Sequence, residues 1–145
     1  MKKLILLLGR IALSLIFVAS SINKLFGWDQ AVHYMTSSLS AWIAGTPLPD
    51  FMHGAVTLMG SHAVLMLLVA TLFEGIGGLF VLLGFKVRFG AVLLILFMIP
   101  ATLIMHPFWL CSGQEKVLQI TMFMKNLAIL GGLLILAARN GDSEQ

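Results

Sequence analysis

Charge is scarce in this chain. Only 10% of its 145 residues are Asp, Glu, Lys or Arg, well below the quarter or so found in soluble domains. Cysteine is scarcer still: Cys111 is alone, which excludes an internal disulfide and any CxxC redox pair. His33, His53, His62 and His106 are scattered with no HExxH-like spacing, so no metal site is expected. No flavin or haem motif is present either. The net charge of +3 is spread thinly, without the basic face that nucleic-acid binding needs. What remains is apolar: 59% hydrophobic residues and a mean hydropathy of +1.01. The chain reads as one integral membrane domain, all-α, with the lipid bilayer as its first partner.

Four apolar runs are long enough to cross a hydrocarbon core of about 30 Å, which takes about 20 helical residues. They cover about residues 4–22, 62–84, 89–106 and 118–138. Met1-Lys2-Lys3 before an apolar run also resembles a signal peptide, but Arg10 interrupts that run and favours a retained span. A four-helix bundle is expected, spanning residues 1–145 as a single domain.

Residues 23–61 form a long loop on one side. Within it Asp29 offers an N-cap, and Val32, Met35, Leu39, Trp42 and Ile43 recur at helical spacing. His33, Thr36, Ser37 and Ser40 lie opposite, so an amphipathic helix at the membrane interface is expected, ended by Gly45-Thr46-Pro47-Leu48-Pro49. Residues 51–60 either extend the next helix outward or lie flat.

Lysine and arginine set the orientation. Lys2, Lys3, Lys86, Arg88 and Arg139 fall on one side, Lys24 and Lys116 on the other. The richer side is cytoplasmic by the positive-inside rule. Both termini are therefore expected inside, and the 23–61 loop outside, facing the periplasm if the cell is Gram-negative.

Three charges sit inside the apolar runs: Arg10, Glu74 and Lys125. A central charge costs about 2.5–3.5 kcal/mol on insertion scales, so each needs a partner, water or a function. Helical rise places Glu74 near the midplane, about 17 Å from the outer boundary, and Lys125 about 10 Å from it. Glu74 thus lies between Arg10 and Lys125 in depth, and an ion pair with one or both is expected. Arg10, Ser14, Phe17, Ser21 and Lys24 share one face of the first span. Gly77 and Gly78 flank Glu74, and Ala128 and Gly132 follow Lys125, which suits close helix packing. The candidate catalytic residues are Glu74 and Lys125. Arg10, Ser14, Ser21, Lys24, His106 and Asn126 are the candidate ligand contacts. His106 reads equally as a boundary residue at the headgroups. Cys111 reads as a solvent-side thiol, or as a thiol contact to a partner, and the methionines as packing residues.

Four stretches together resemble the DoxX family of small bacterial membrane proteins: Ser21-Ile22-Asn23-Lys24-Leu25-Phe26-Gly27, Phe73-Glu74-Gly75-Ile76-Gly77-Gly78, Gly84-Phe85-Lys86-Val87-Arg88, and Phe123-Met124-Lys125-Asn126-Leu127-Ala128 with Gly131-Gly132. The resemblance implies a four-helix membrane bundle. Through family members tied to thiosulfate:quinone oxidoreductase, thiol stress or quinone handling, it also implies redox-linked work. A quinone would be the ligand, and a membrane or periplasmic redox protein the partner. A second copy of the chain is an open alternative. So is a non-catalytic assembly subunit whose buried charges only fix helix register. A small transporter has little support, since no broken-helix repeat is visible.

Overall fold

A computed structural model describes residues 1–45 and 49–138. Those residues form six α-helices and no strand: α1 Lys2–Phe26, α2 Trp28–Gly45, α3 Asp50–Ser61, α4 Ala63–Leu83, α5 Val87–Met105 and α6 Gly113–Ala138. A single 3₁₀ turn, Phe108–Leu110, joins α5 to α6. Four segments are long and apolar enough to cross a membrane: α1, α4, α6, and α5 with the turn after it. The four-span architecture is therefore as expected from hydropathy. Arg139 and the expected stop at residues 46–48 lie outside the described residues.

The bundle has two ends. At one lie the start of α1, the α4–α5 turn and the end of α6. At the other, here called the loop end, lie α2, α3 and the 3₁₀ turn. α1 runs antiparallel to α4, α4 to α5, and α5 to α6. Glycine sets the closest approach. A Cβ on Gly77 would stand 2.9 Å from the Gly90 carbonyl oxygen, and one on Gly90 would stand 2.9 Å from that of Gly77. α4 and α5 therefore touch backbone to backbone, as the small-residue face of α4 suggests. On the next side of α4, Gly78 lies against Phe17 and Val18 of α1. The α4–α5 turn closes on Gly84, whose φ of +77° suits a residue without a Cβ.

Two apolar clusters result. Phe17, Val81, Ala91, Leu94, Met98 and Leu133 pack the end nearer the chain termini. Met35, Leu39 and Leu67 pack the loop end. α2 is the amphipathic helix expected from Val32, Met35 and Leu39. It lays Met35 and Leu39 over α4 and α5, with Trp28, Ala31 and Val32 beside them. Its far end meets the 3₁₀ turn through edge-to-face Trp42 and Trp109 rings, 5.3 Å apart. Asp50–Ser61 form α3, a separate helix.

Two boundaries differ materially from expectation. α6 begins at Gly113 and not near residue 118, so Glu115 and Lys116 are helical. α1 does not stop near residue 22 but runs to Phe26, where Gly27 ends it by returning its N–H to the Asn23 carbonyl. Lys24 is thereby a bundle residue and not a loop residue.

Candidate functional site

Between the two apolar clusters lies a cavity of about 630 Å³. Its walls are mostly aliphatic and aromatic, with a few polar groups: Ser20 and Lys24 from α1, Glu74 from α4, Thr102 from α5, His106 just after α5, and Asn126 from α6. α2 roofs it with Ala31, Tyr34 and Met35. An apolar cleft with a small number of converging polar groups is the usual form of a small-molecule site.

Among the described residues Glu74 is the most enclosed charge, 2% exposed. It sits three residues before the Gly77–Gly90 contact, so the tightest helix pair in the bundle holds it in place. Its ion-pair partner among the described residues is Lys24, which donates to Oε2. The same ammonium donates to Ser20 Oγ at 2.9 Å and stands 5.2 Å from the centroid of the Phe97 ring. Lys24 thus holds three contacts, one ionic, one hydroxyl and one cation–π. Its side chain keeps 23% exposure, against 3% for Glu74.

Glu74 pairs with neither of the cations expected beside it, Arg10 and Lys125. Lys125 is exposed on α6 and rests its ammonium on Met122 Sδ at 3.3 Å. Arg10 lies against Gly84, ten residues along α4 from Glu74, which is about 15 Å of helix. Depth alone placed both cations within reach. What overrode it is α1, whose extra turn brings Lys24 to the same layer. Ser21 faces Gly75, and the helix then delivers Lys24 to Glu74 at the next turn.

The serines of the α1 stripe are buried but do not line the cavity. Ser14 donates to the Arg10 carbonyl at 2.6 Å and Ser21 to the Val18 carbonyl at 2.9 Å. Their hydroxyl protons are spent on their own helix. Asn126 and His106 do line the cavity. Asn126 Nδ2 donates to Thr102 Oγ1 at 3.1 Å, and His106 Nδ1 pairs with Gln119 Oε1 at 2.9 Å. These two contacts join α5 to α6 at the wall opposite Glu74. Ser20, Phe97 and Thr102 were not foreseen. Ser20 had a signal, since it lies one turn before Lys24 and shares its face. Phe97 and Thr102 had none.

No cluster of His, Cys, Asp or Glu able to hold a metal occurs among the described residues. Cys111 lies outside the cavity, just past the 3₁₀ turn that joins α5 to α6, with its Sγ 3.6 Å from the Pro107 carbonyl.

The DoxX family model matches residues 5–107. The chain belongs to the DoxX family. It is also 30% identical over 136 residues to "Inner membrane protein YphA" of Escherichia coli (strain K12), covering 94% of this chain and 83% of that protein. No solved structure matches it. The matched stretch runs from α1 through α5 and includes both Lys24 and Glu74, while Lys125 and Asn126 lie beyond it.

Proposed function

We propose that this DoxX-family protein is a multi-pass inner-membrane protein whose cavity binds a lipid-soluble quinone, as the membrane subunit of a redox system. The observation that carries this reading is the Lys24–Glu74 pair set in the wall of a mostly apolar cavity of about 630 Å³. Apolar walls suit a ring and an isoprenoid tail. The ammonium of Lys24 and the second amide hydrogen of Asn126 suit carbonyl oxygens. Glu74, beside Lys24, suits a proton carrier. Reduction of a quinone takes two electrons and two protons. The chain offers proton-bearing groups, and a partner oxidoreductase would supply the electrons. The inner-membrane location follows the name of the Escherichia coli relative. A cytoplasmic position for both termini is supported by Lys2, Lys3, Lys86 and Arg88, which gather at the end opposite the loop end. At the loop end, α2 is proposed to lie along the outer interface with Tyr34 and Trp42 at headgroup level.

A second reading keeps one specific support. The Lys24–Glu74 pair also ties α1 to α4, which is what a purely structural pair in an assembly subunit would do. Lipid extraction of the protein purified in mild detergent separates the two. Quinone recovered from the wild type and absent from Glu74→Gln and Lys24→Met, both still folded, is the expected result. A folded wild type that retains no quinone and binds none added overturns the ligand reading.

A further inference from the structure

We infer that the cavity opens sideways into the bilayer between the loop-end halves of α1 and α6, through a portal framed by Ser20 and Lys125, and that the quinone enters and leaves there; this rests on the ligand reading above. The two helices run antiparallel. They meet at Leu13 and Gly132, where a Cβ on the glycine would stand 3.5 Å from Leu13 Cδ1. Phe17 and Leu133 seal the bundle close to that level, both in the buried cluster. Seven residues toward the loop end from this contact bring α1 to Ser20 and α6 to Lys125. Seven residues are two turns, about 10 Å, and return each helix nearly to the same face. Ser20 and Lys125 therefore stand on the facing sides of one gap.

The gap is open at that level. Lys125 and Ala128, on the α6 side, are exposed. Ile16, one turn from Ser20, lines the cavity and is yet 42% exposed. A side chain that is both cavity wall and lipid-facing surface marks an opening. Behind it exposure falls from 23% at Lys24 to 3% at Glu74, the gradient of a passage that narrows inward.

The portal explains a lysine at this depth. Lys125 has no role inside the cavity, but it puts a positive charge on the rim, while the ammonium of Lys24 stands inside. A head group bearing carbonyl oxygens meets the outer cation first and then the inner one, and its tail trails into lipid. The cavity also reaches the lipid face between α4 and α5 at Leu65, Val69 and Leu96. That rim is wholly apolar and offers a polar head group nothing.

The test blocks one opening at a time. Ile16→Cys with Ala128→Cys, in a Cys111→Ser background, is bridged by a bis-maleimide, and Leu65→Cys with Leu96→Cys is bridged likewise. Uptake and release of a short-chain ubiquinone analogue are followed in nanodiscs, each unbridged double variant serving as its own control. Bridging α1 to α6 is expected to slow both rates by an order of magnitude or more, and bridging α4 to α5 to leave them unchanged. Rates unaffected by the α1–α6 bridge, or slowed only by the α4–α5 bridge, overturn the portal while the ligand site stands. No binding in the unbridged proteins overturns the ligand reading and the portal with it.

Discussion

Lys24 and Glu74 form an ion pair across fifty residues of chain, and each side chain is where it is because of a glycine. Gly27 stops α1 only after Lys24 has been carried into the bundle. Gly77 lets α4 press against α5 and fixes Glu74 at the cavity wall. A pair at 4 Å gains about 4 kcal/mol at an effective dielectric of about 20, and desolvation takes back much of it. The pair is thus weak as net stabilisation, yet losing one member is serious because the other is left enclosed.

That asymmetry gives the first prediction. Glu74→Gln and Lys24→Met are each expected to destabilise the bundle, by about 3 kcal/mol, the low end of the range for breaking a buried pair. Lys24 retains some exposure, which holds the figure down. The double variant is expected to lose less than the sum, with a coupling of about 1–3 kcal/mol in a double-mutant cycle. Unfolding in detergent, titrated with SDS, measures it. Strict additivity would mean that the two residues do not act as a pair.

Gly77 and Gly131 give a contrast within one residue type. At Gly77 an added methyl group meets backbone oxygen at 2.9 Å, whereas at Gly131 nothing lies within 4 Å. Gly77→Ala is expected to cost about 1–3 kcal/mol, as overpacking does. Gly131→Ala is expected to be neutral or to stabilise by up to about 1 kcal/mol through helix propensity. The same SDS titration reads both, and a Gly77→Ala protein as stable as the wild type would contradict the close approach of α4 and α5.

The four spans, the amphipathic helix before α4 and the intramembrane charges were legible in the sequence, because hydropathy and helical period are local properties. The partner of Glu74 was not. Choosing among Arg10, Lys24 and Lys125 needed two facts that are not local: how far α1 continues, and which helices are neighbours. Ser20, Ser21, Asn23 and Lys24 break the apolar run before Leu25 and Phe26, so hydropathy ended the helix too early. Lys125 lies on an apolar helix whose inward face cannot be told from its own pattern, since α6 is apolar nearly all round. Asn126, one residue on, did fall on the cavity wall.

Cys111 is expected to be a sluggish thiol. Its pKa is pushed up, first by the loss of water around it and then by the Glu115 carboxylate. A raised pKa leaves less thiolate at neutral pH, and the thiolate is the reactive form. Maleimide labelling should therefore be slow at pH 7 and speed up as pH rises beyond the range of an ordinary cysteine. Glu115→Gln removes one cause and should accelerate labelling at fixed pH. Labelling as fast as that of a free cysteine peptide at pH 7 would contradict the local electrostatics.

Lys125 and Lys24 are both lysines in apolar helices, and opposite outcomes are expected from removing them. Lys24 holds an enclosed carboxylate, so its loss strands Glu74. Lys125 pairs with no carboxylate among the described residues; its ammonium rests on a thioether at the surface of α6. Lys125→Leu therefore leaves nothing behind unsatisfied. It also removes a charge that insertion scales put at about 2.5–3.5 kcal/mol near a helix centre, less what snorkelling toward the headgroups recovers. The variant is expected to be as stable as the wild type or slightly more so by SDS titration, with its defect confined to the rate of ligand uptake. A Lys125→Leu protein that unfolds as readily as Lys24→Met would show that the lysine has a structural partner, and would remove it from the rim of the portal.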